Sequence, residues 1–116
     1  MLTPDETRRV ERVAVKMPVI IKIHPSMEKD FTLAQKEINA VTIDISATGI
    51  GVLSNVYIQD GVLLIVQIAG EGGNKIDFVG EVMSSRMAGK QYRLGIIIKE
   101  INDNNKAEIM KLMKLA

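Results

Sequence analysis

The residues of this chain best suited to chemistry stand in two short clusters, Arg8-Arg9-Val10-Glu11-Arg12 near the start and Asp44-Ile45-Ser46-Ala47-Thr48-Gly49 further on. The first has the form R-x-x-x-R and offers several guanidinium forks. The second has the form D-x-S-x-x-G and offers a carboxylate, a hydroxyl and a glycine at a turn between two strand-like segments. Guanine shows the O6 and N7 acceptors on one edge and the N1–H and N2–H₂ donors on another. An arginine fork matches O6/N7 or a phosphate bidentately, and it stacks on the purine face. A carboxylate such as Asp44 accepts from the N–H edge and selects guanine, because adenine lacks that exocyclic amine. Ser46 suits a base edge, a phosphate or the ordering of the turn, and Gly49 serves by having no side chain. The candidate binding residues are therefore Arg8, Arg9, Arg12, Asp44, Ser46 and Gly49, and their chemistry is nucleotide sensing rather than catalysis.

These groups need elements to hold them. The first dozen residues are polar and charged with little to bury, and read as an arm ordered on demand, residues 1–12. From Val13 the pattern becomes strand-like: Val13, Val15, Met17, Val19, Ile21 and Ile23 alternate with Ala14, Lys16, Pro18, Ile20, Lys22 and His24. Pro18 lacks a ladder donor, so this strand is expected at an edge or with a bulge. Pro25 to Glu37 reads as a loop with a partial strand or helical turn. Val41, Ile43 and Ile45 then alternate with Thr42, Asp44 and Ser46, which places Asp44 and Ser46 together on the face opposite the isoleucines. Thr48-Gly49-Ile50-Gly51 turns the chain. Strands follow at Val62–Ala69, Ile76–Met87 and Gln91–Glu100, with breaks at 59–61, 70–74 and 88–90 suited to hairpin turns. Short strands at this spacing predict a small antiparallel barrel or sandwich. The period then changes. A helix over about 103–115, capped by Asn102 or Asp103, buries Ile109, Leu112, Met113 and Ala116 and turns Lys106, Lys111 and Lys114 outward. Met110 and Met113 read as packing residues. Arg86 and Arg93 read as surface strand residues, with a place near the ligand open to Arg93.

Composition narrows the function. A chain of 116 residues with 47% hydrophobic and 25% charged residues is expected to form one globular domain. Its net charge of +1 gives no field to hold a long polyanion, and 3% aromatics leaves few platforms for stacking a single strand, so nucleic acid is not expected as a partner. The absence of cysteine excludes disulfides, thiolate zinc sites and a cysteine nucleophile. His24, the sole histidine, reads as an exposed strand-end residue. With no catalytic dyad and no metal cluster visible, neither an enzyme nor a metal site is expected. No apolar run spans a bilayer and the start has no apolar leader, so the chain reads as cytoplasmic.

With both clusters placed this way, the chain resembles the PilZ-domain family, bacterial receptors for cyclic di-GMP. The resemblance rests on Arg8, Arg9 and Arg12, on Asp44, Ser46 and Gly49 with the continuation Ile50-Gly51-Val52, and on Phe78-Val79-Gly80-Glu81-Val82 and Arg93-Leu94-Gly95-Ile96. One departure is Ile98, which stands where members commonly carry an aromatic residue. The resemblance implies an all-β, six-stranded antiparallel barrel with a C-terminal α-helix, occupying residues 13–116. It implies a cyclic di-GMP receptor that needs no other cofactor and orders its arginine arm on binding. The output would pass to a downstream protein partner or a change of oligomeric state, in motility, attachment or exopolysaccharide control. The alternative it leaves is a PilZ-like interaction scaffold that binds no nucleotide. Thr7 adds no further guanidinium to the arm, which favours one ligand per chain over a stacked pair.

Overall fold

A computed structural model describes residues 11–27 and 37–115. Seven strands and one helix follow in order: β1 (Val13–Ala14), β2 (Pro18–Ile23), β3 (Ile38–Ile45), β4 (Gly49–Ser54), β5 (Leu63–Ala69), β6 (Lys75–Ala88), β7 (Gln91–Glu100) and α1 (Asp103–Leu115). The sheet runs β3-β2-β5-β6-β7-β4, and β4 pairs back onto β3. Six antiparallel strands thus close into a barrel, and closure leaves no long edge unpaired. β1 adds a two-residue pairing to β3, with Val13 opposite Ile45 and Ala14 opposite Asp44. The expected barrel and C-terminal helix are both present.

The interior is built from strand residues that alternate inward. Val19, Ile21 and Ile23 of β2 meet Leu64, Val66 and Ile68 of β5, and Ile76, Phe78 and Val82 of β6 continue the core. β-Branched side chains dominate because they pack well on a pleated surface. The helix closes over this core. Asn102 caps it, its Oδ1 accepting from the Asn105 backbone N–H at 2.8 Å. Ile109 is buried, and Leu112 and Met113 pack against the core from the same helical face. Met110 departs from the expected packing role, since it is 38% exposed.

Three local expectations are corrected. The strand from Val13 to His24 is not continuous, because it breaks between Ala14 and Pro18. Proline occupies the first position of β2, where its missing N–H costs no ladder bond. Nor is β2 an edge, since it lies between β3 and β5.

The alternation of β3 is also shifted. The register jumps between Thr42 and Asp44, so Ile43 is the extra residue of a bulge. Ile38, Ala40 and Thr42 point inward before it, and Ile45 after it, while Val41 and Ile43 are half-exposed. Thr42 tolerates burial because its hydroxyl donates to the Val15 carbonyl at 2.7 Å and accepts from the Met17 N–H at 2.8 Å. It therefore stitches the break between β1 and β2.

Finally, Gly49–Ser54 is a full strand rather than a turn, and the bend at 59–61 joins β4 to β5, which are not neighbours. There Gly61, at φ +89°, lets the chain fold back, and its N–H donates to the Val82 carbonyl at 2.7 Å. Ile58, just before this bend, is buried in the core.

Candidate functional site

The outward face of β3, β4, β7 and β6 carries two adjacent rows of residues. Asp44 stands opposite Gly51, Gly51 opposite Gly95, and Gly95 opposite Ser84. In the next row Val41 faces Leu53, Leu53 faces Arg93, and Arg93 faces Arg86. Two glycines side by side leave a floor without side chains. A concavity of about 350 Å³ lies above them, lined by Arg12, Gly51, Ser84, Arg86, Arg93 and Gly95. Side chains at the two glycines would displace their neighbours on this face. A Cβ on Gly51 would come within 2.7 Å of the Asp44 Oδ1, and one on Gly95 within 2.7 Å of the Ser84 Oγ.

Asp44 is the hinge of the site. The bulge at Ile43 turns its side chain outward. Its carboxylate, with only 16% of the side chain exposed, accepts from Arg12 Nη1 at 2.9 Å and pairs with Arg93 Nη2 at 3.4 Å. Both arginines are about half exposed, at 53% and 52%. Arg12 immediately precedes β1, and the antiparallel pairing of β1 with β3 carries it to Asp44 across 32 positions of sequence. The two chemical clusters of the sequence therefore meet in space. Arg8 and Arg9 lie outside the described residues.

Ser46 and Gly49 are differently employed. Ser46 does not emerge beside Asp44 as simple alternation predicts. It is fully buried, and its hydroxyl donates to the Gly49 carbonyl at 3.2 Å and accepts from the N–H groups of Gly49 at 3.1 Å and Thr48 at 3.3 Å. Those bonds fill the donor and acceptor capacity of a hydroxyl, so of the roles open to Ser46 its contacts are those of turn ordering. The Ser46 N–H also donates to the Gly49 carbonyl, and the Thr48 carbonyl accepts from the Ile98 N–H at 2.8 Å, fastening the turn to β7. Gly49 is needed where β4 presses on β7, because a Cβ there would overlap the backbone carbonyl of Ile96. Its smallness serves the barrel wall directly.

Arg86 and Ser84 were not among the motif residues, and Gly51 and Gly95 were named only for the family resemblance, although the signal was available. Counting back along both strands from the turn at Gly89-Lys90 places Arg86 opposite Arg93 and Ser84 opposite Gly95. Beside the concavity, a more open groove of about 650 Å³ runs over Ala14, Val15, Val41, Ile43 and Leu53. No group of three or more His, Cys, Asp or Glu side chains suited to a metal occurs among the described residues. No helix among them is long and apolar enough to cross a membrane. His24 is half-buried, with its Nδ1 engaged by Ser26 at 2.8 Å (hydroxyl) and 3.1 Å (N–H).

The family model of the PilZ domain matches residues 6–115, and the chain belongs to that family. Among solved structures it is similar to the PilZ domain with c-di-GMP of YcgR from Escherichia coli. The TM-score is 0.69 at 13% identity, covering 93% of this chain and 89% of that one. It is also similar to the Bacillus subtilis inhibitor of motility MotI/DgrA, with TM-score 0.75, 17% identity, and 99% and 56% of the two chains covered. The PilZ domain of CeSA from a cellulose-synthesizing bacterium matches with TM-score 0.61, 13% identity, and 90% and 95% covered. The chain thus spans little more than half the length of the MotI/DgrA chain. At these identities the likeness is one of fold. No protein of curated function matches the chain in sequence.

Proposed function

We propose that this PilZ domain is a cyclic di-GMP receptor whose arginine arm closes over the barrel on ligand binding and presents a new surface to a partner protein. The observation that carries the reading is the meeting of the two motifs: the Arg12 guanidinium lies 2.9 Å from the Asp44 carboxylate, beside a concavity floored by Gly51 and Gly95. A guanidinium fork and a carboxylate held side by side on the rim would, once their mutual pairing opens, serve the two edges of guanine, and a floor without side chains admits a bulky ring closely. Arg8, Arg9 and Arg12 would grip a base edge and the phosphodiesters, and Asp44 the N1–H/N2–H₂ edge. Ser46 and Gly49 would set the turn that aims Asp44. The ligand enters as a signal, with no cofactor and no catalytic step, and a cytoplasmic setting fits that role. Family membership and the c-di-GMP named with the YcgR PilZ domain support the ligand class. The name of MotI/DgrA supports motility as one process under control, beside attachment and exopolysaccharide production.

Isothermal titration with cyclic di-GMP tests this, with cyclic di-AMP and the Arg8→Ala/Arg12→Ala variant as controls. Guanine-selective binding at micromolar concentration or tighter, lost in the variant, is the expected result. Absence of binding at high ligand would leave a PilZ barrel acting as a protein-interaction scaffold.

A further inference from the structure

Two of the three arginines around the glycine floor belong to neither motif. Arg86 and Arg93 are direct partners across β6 and β7, so two guanidinium groups project side by side from one face of the sheet. Like charges placed directly opposite are unfavourable in a sheet. Among the described residues nothing offsets the pair fully. Arg93 has one carboxylate neighbour there, Asp44, through a 3.4 Å contact with half the arginine side chain in solvent. Arg86 has no carboxylate partner among the described residues. Among the described residues the site thus sets three guanidinium groups against one carboxylate, that of Asp44. The Ser84 hydroxyl lies on the same rim, and no Cβ rises from the floor between. Forked donors, a hydroxyl and an open floor make a receptacle for a tetrahedral oxyanion.

We propose that Arg86 and Arg93 form a phosphate-binding subsite on the β6–β7 hairpin, which takes a phosphodiester of the bound dinucleotide, and that Asp44 is the resident anion the phosphate replaces at Arg93. This deepens the receptor reading above and rests on it for the identity of the ligand. Asp44 has two carboxylate oxygens, one engaged by Arg12 and the other by Arg93. Its two oxygens offer about four lone-pair sites, so the two arginines and the two guanine N–H groups would compete for the charge of one small carboxylate. A ligand that brings its own phosphates resolves the conflict by exchange. The guanidinium groups pass to phosphate, and the carboxylate is freed for the base. Base selection and phosphate capture are then coupled through one side chain.

The test is titration of cyclic di-GMP into the full chain and its Arg86→Ala, Arg86→Lys and Arg93→Ala variants over a range of salt. A parallel NMR titration with inorganic pyrophosphate follows the arginine Nε–H signals. Arg86→Ala is expected to weaken cyclic di-GMP binding about tenfold and to flatten its salt dependence. Arg86→Lys should restore only part of the loss, because an ammonium group lacks the planar fork. The melting temperature of Arg86→Ala should be unchanged or higher, since a like-charge contact is removed. Wild-type affinity in both alanine variants would overturn the subsite while leaving the receptor reading intact. Failure of wild type to bind cyclic di-GMP would overturn the receptor reading. In that case, pyrophosphate-induced shifts of the Arg86 and Arg93 signals would still establish the subsite, and their absence would overturn it too.

Discussion

Asp44 and Ser46 are two residues apart in one motif and live in opposite physical states. Ser46 is buried with every hydrogen-bonding position of its hydroxyl committed to the turn, and Gly49 is fixed by the backbone of β7. Asp44 faces outward, and its partners are two arginines that stand half in water. Buried hydrogen bonds are costly to break, whereas exposed ion pairs are worth little and exchange readily. The motif therefore divides into a part that builds and a part whose partners are free to exchange. The rigid turn holds the position of Asp44, and under the receptor reading proposed above a ligand would displace what Asp44 now holds.

Substitutions can break that division, beginning where the largest effect is expected. Gly49→Ala should destabilise the fold by about 3 kcal/mol, because the added methyl meets the Ile96 carbonyl and β4 must move off β7. Urea denaturation would show it as a lowered midpoint, and an unchanged midpoint would mean that β4 and β7 do not approach this closely. Ser46→Ala should cost about 1–3 kcal/mol, since the Thr48 and Gly49 N–H groups lose their shared acceptor. Arg12→Ala should change stability by less than about 1 kcal/mol, as befits an exposed pair. Its effect belongs to affinity, which should fall about tenfold in a titration with cyclic di-GMP. A large loss of stability from Arg12→Ala would erase the distinction between turn and rim.

The parts of the molecule legible in sequence are those fixed by local pattern. The β7 boundaries, the Asn102 cap, the inward face of Ile109, Leu112 and Met113, and the β5–β6 and β6–β7 hairpins all follow from periodicity and turn residues close in sequence. The errors arose where a distant contact overrides the pattern. The bulge at Ile43 reverses the faces of Val41 and Thr42, and Thr42 is held inward by backbone groups at Val15 and Met17. No alternation count can anticipate that. β4 was concealed for a related reason. Its two glycines read as a turn, yet Gly49 is there because the β7 backbone crowds that strand, and Gly51 lies beneath the Asp44 side chain. At the site, residue type and spacing pointed to Arg12 and Asp44. Arg86 belongs to neither motif, although the β6–β7 hairpin register sets it opposite Arg93. What the hairpin alone does not give is the neighbouring Asp44 and Gly51, which only the closed barrel brings alongside.

In the proposed receptor the rim exchanges partners while the turn stays fixed. An NMR titration of the full chain with cyclic di-GMP tests it most directly. At saturation the Nε–H signals of Arg12 and Arg93 and the backbone signals of residues 6–12 should move to new positions, while the Thr48 and Gly49 amides keep their slow hydrogen exchange. Arm and arginine signals that stay in place at saturating ligand would contradict the account.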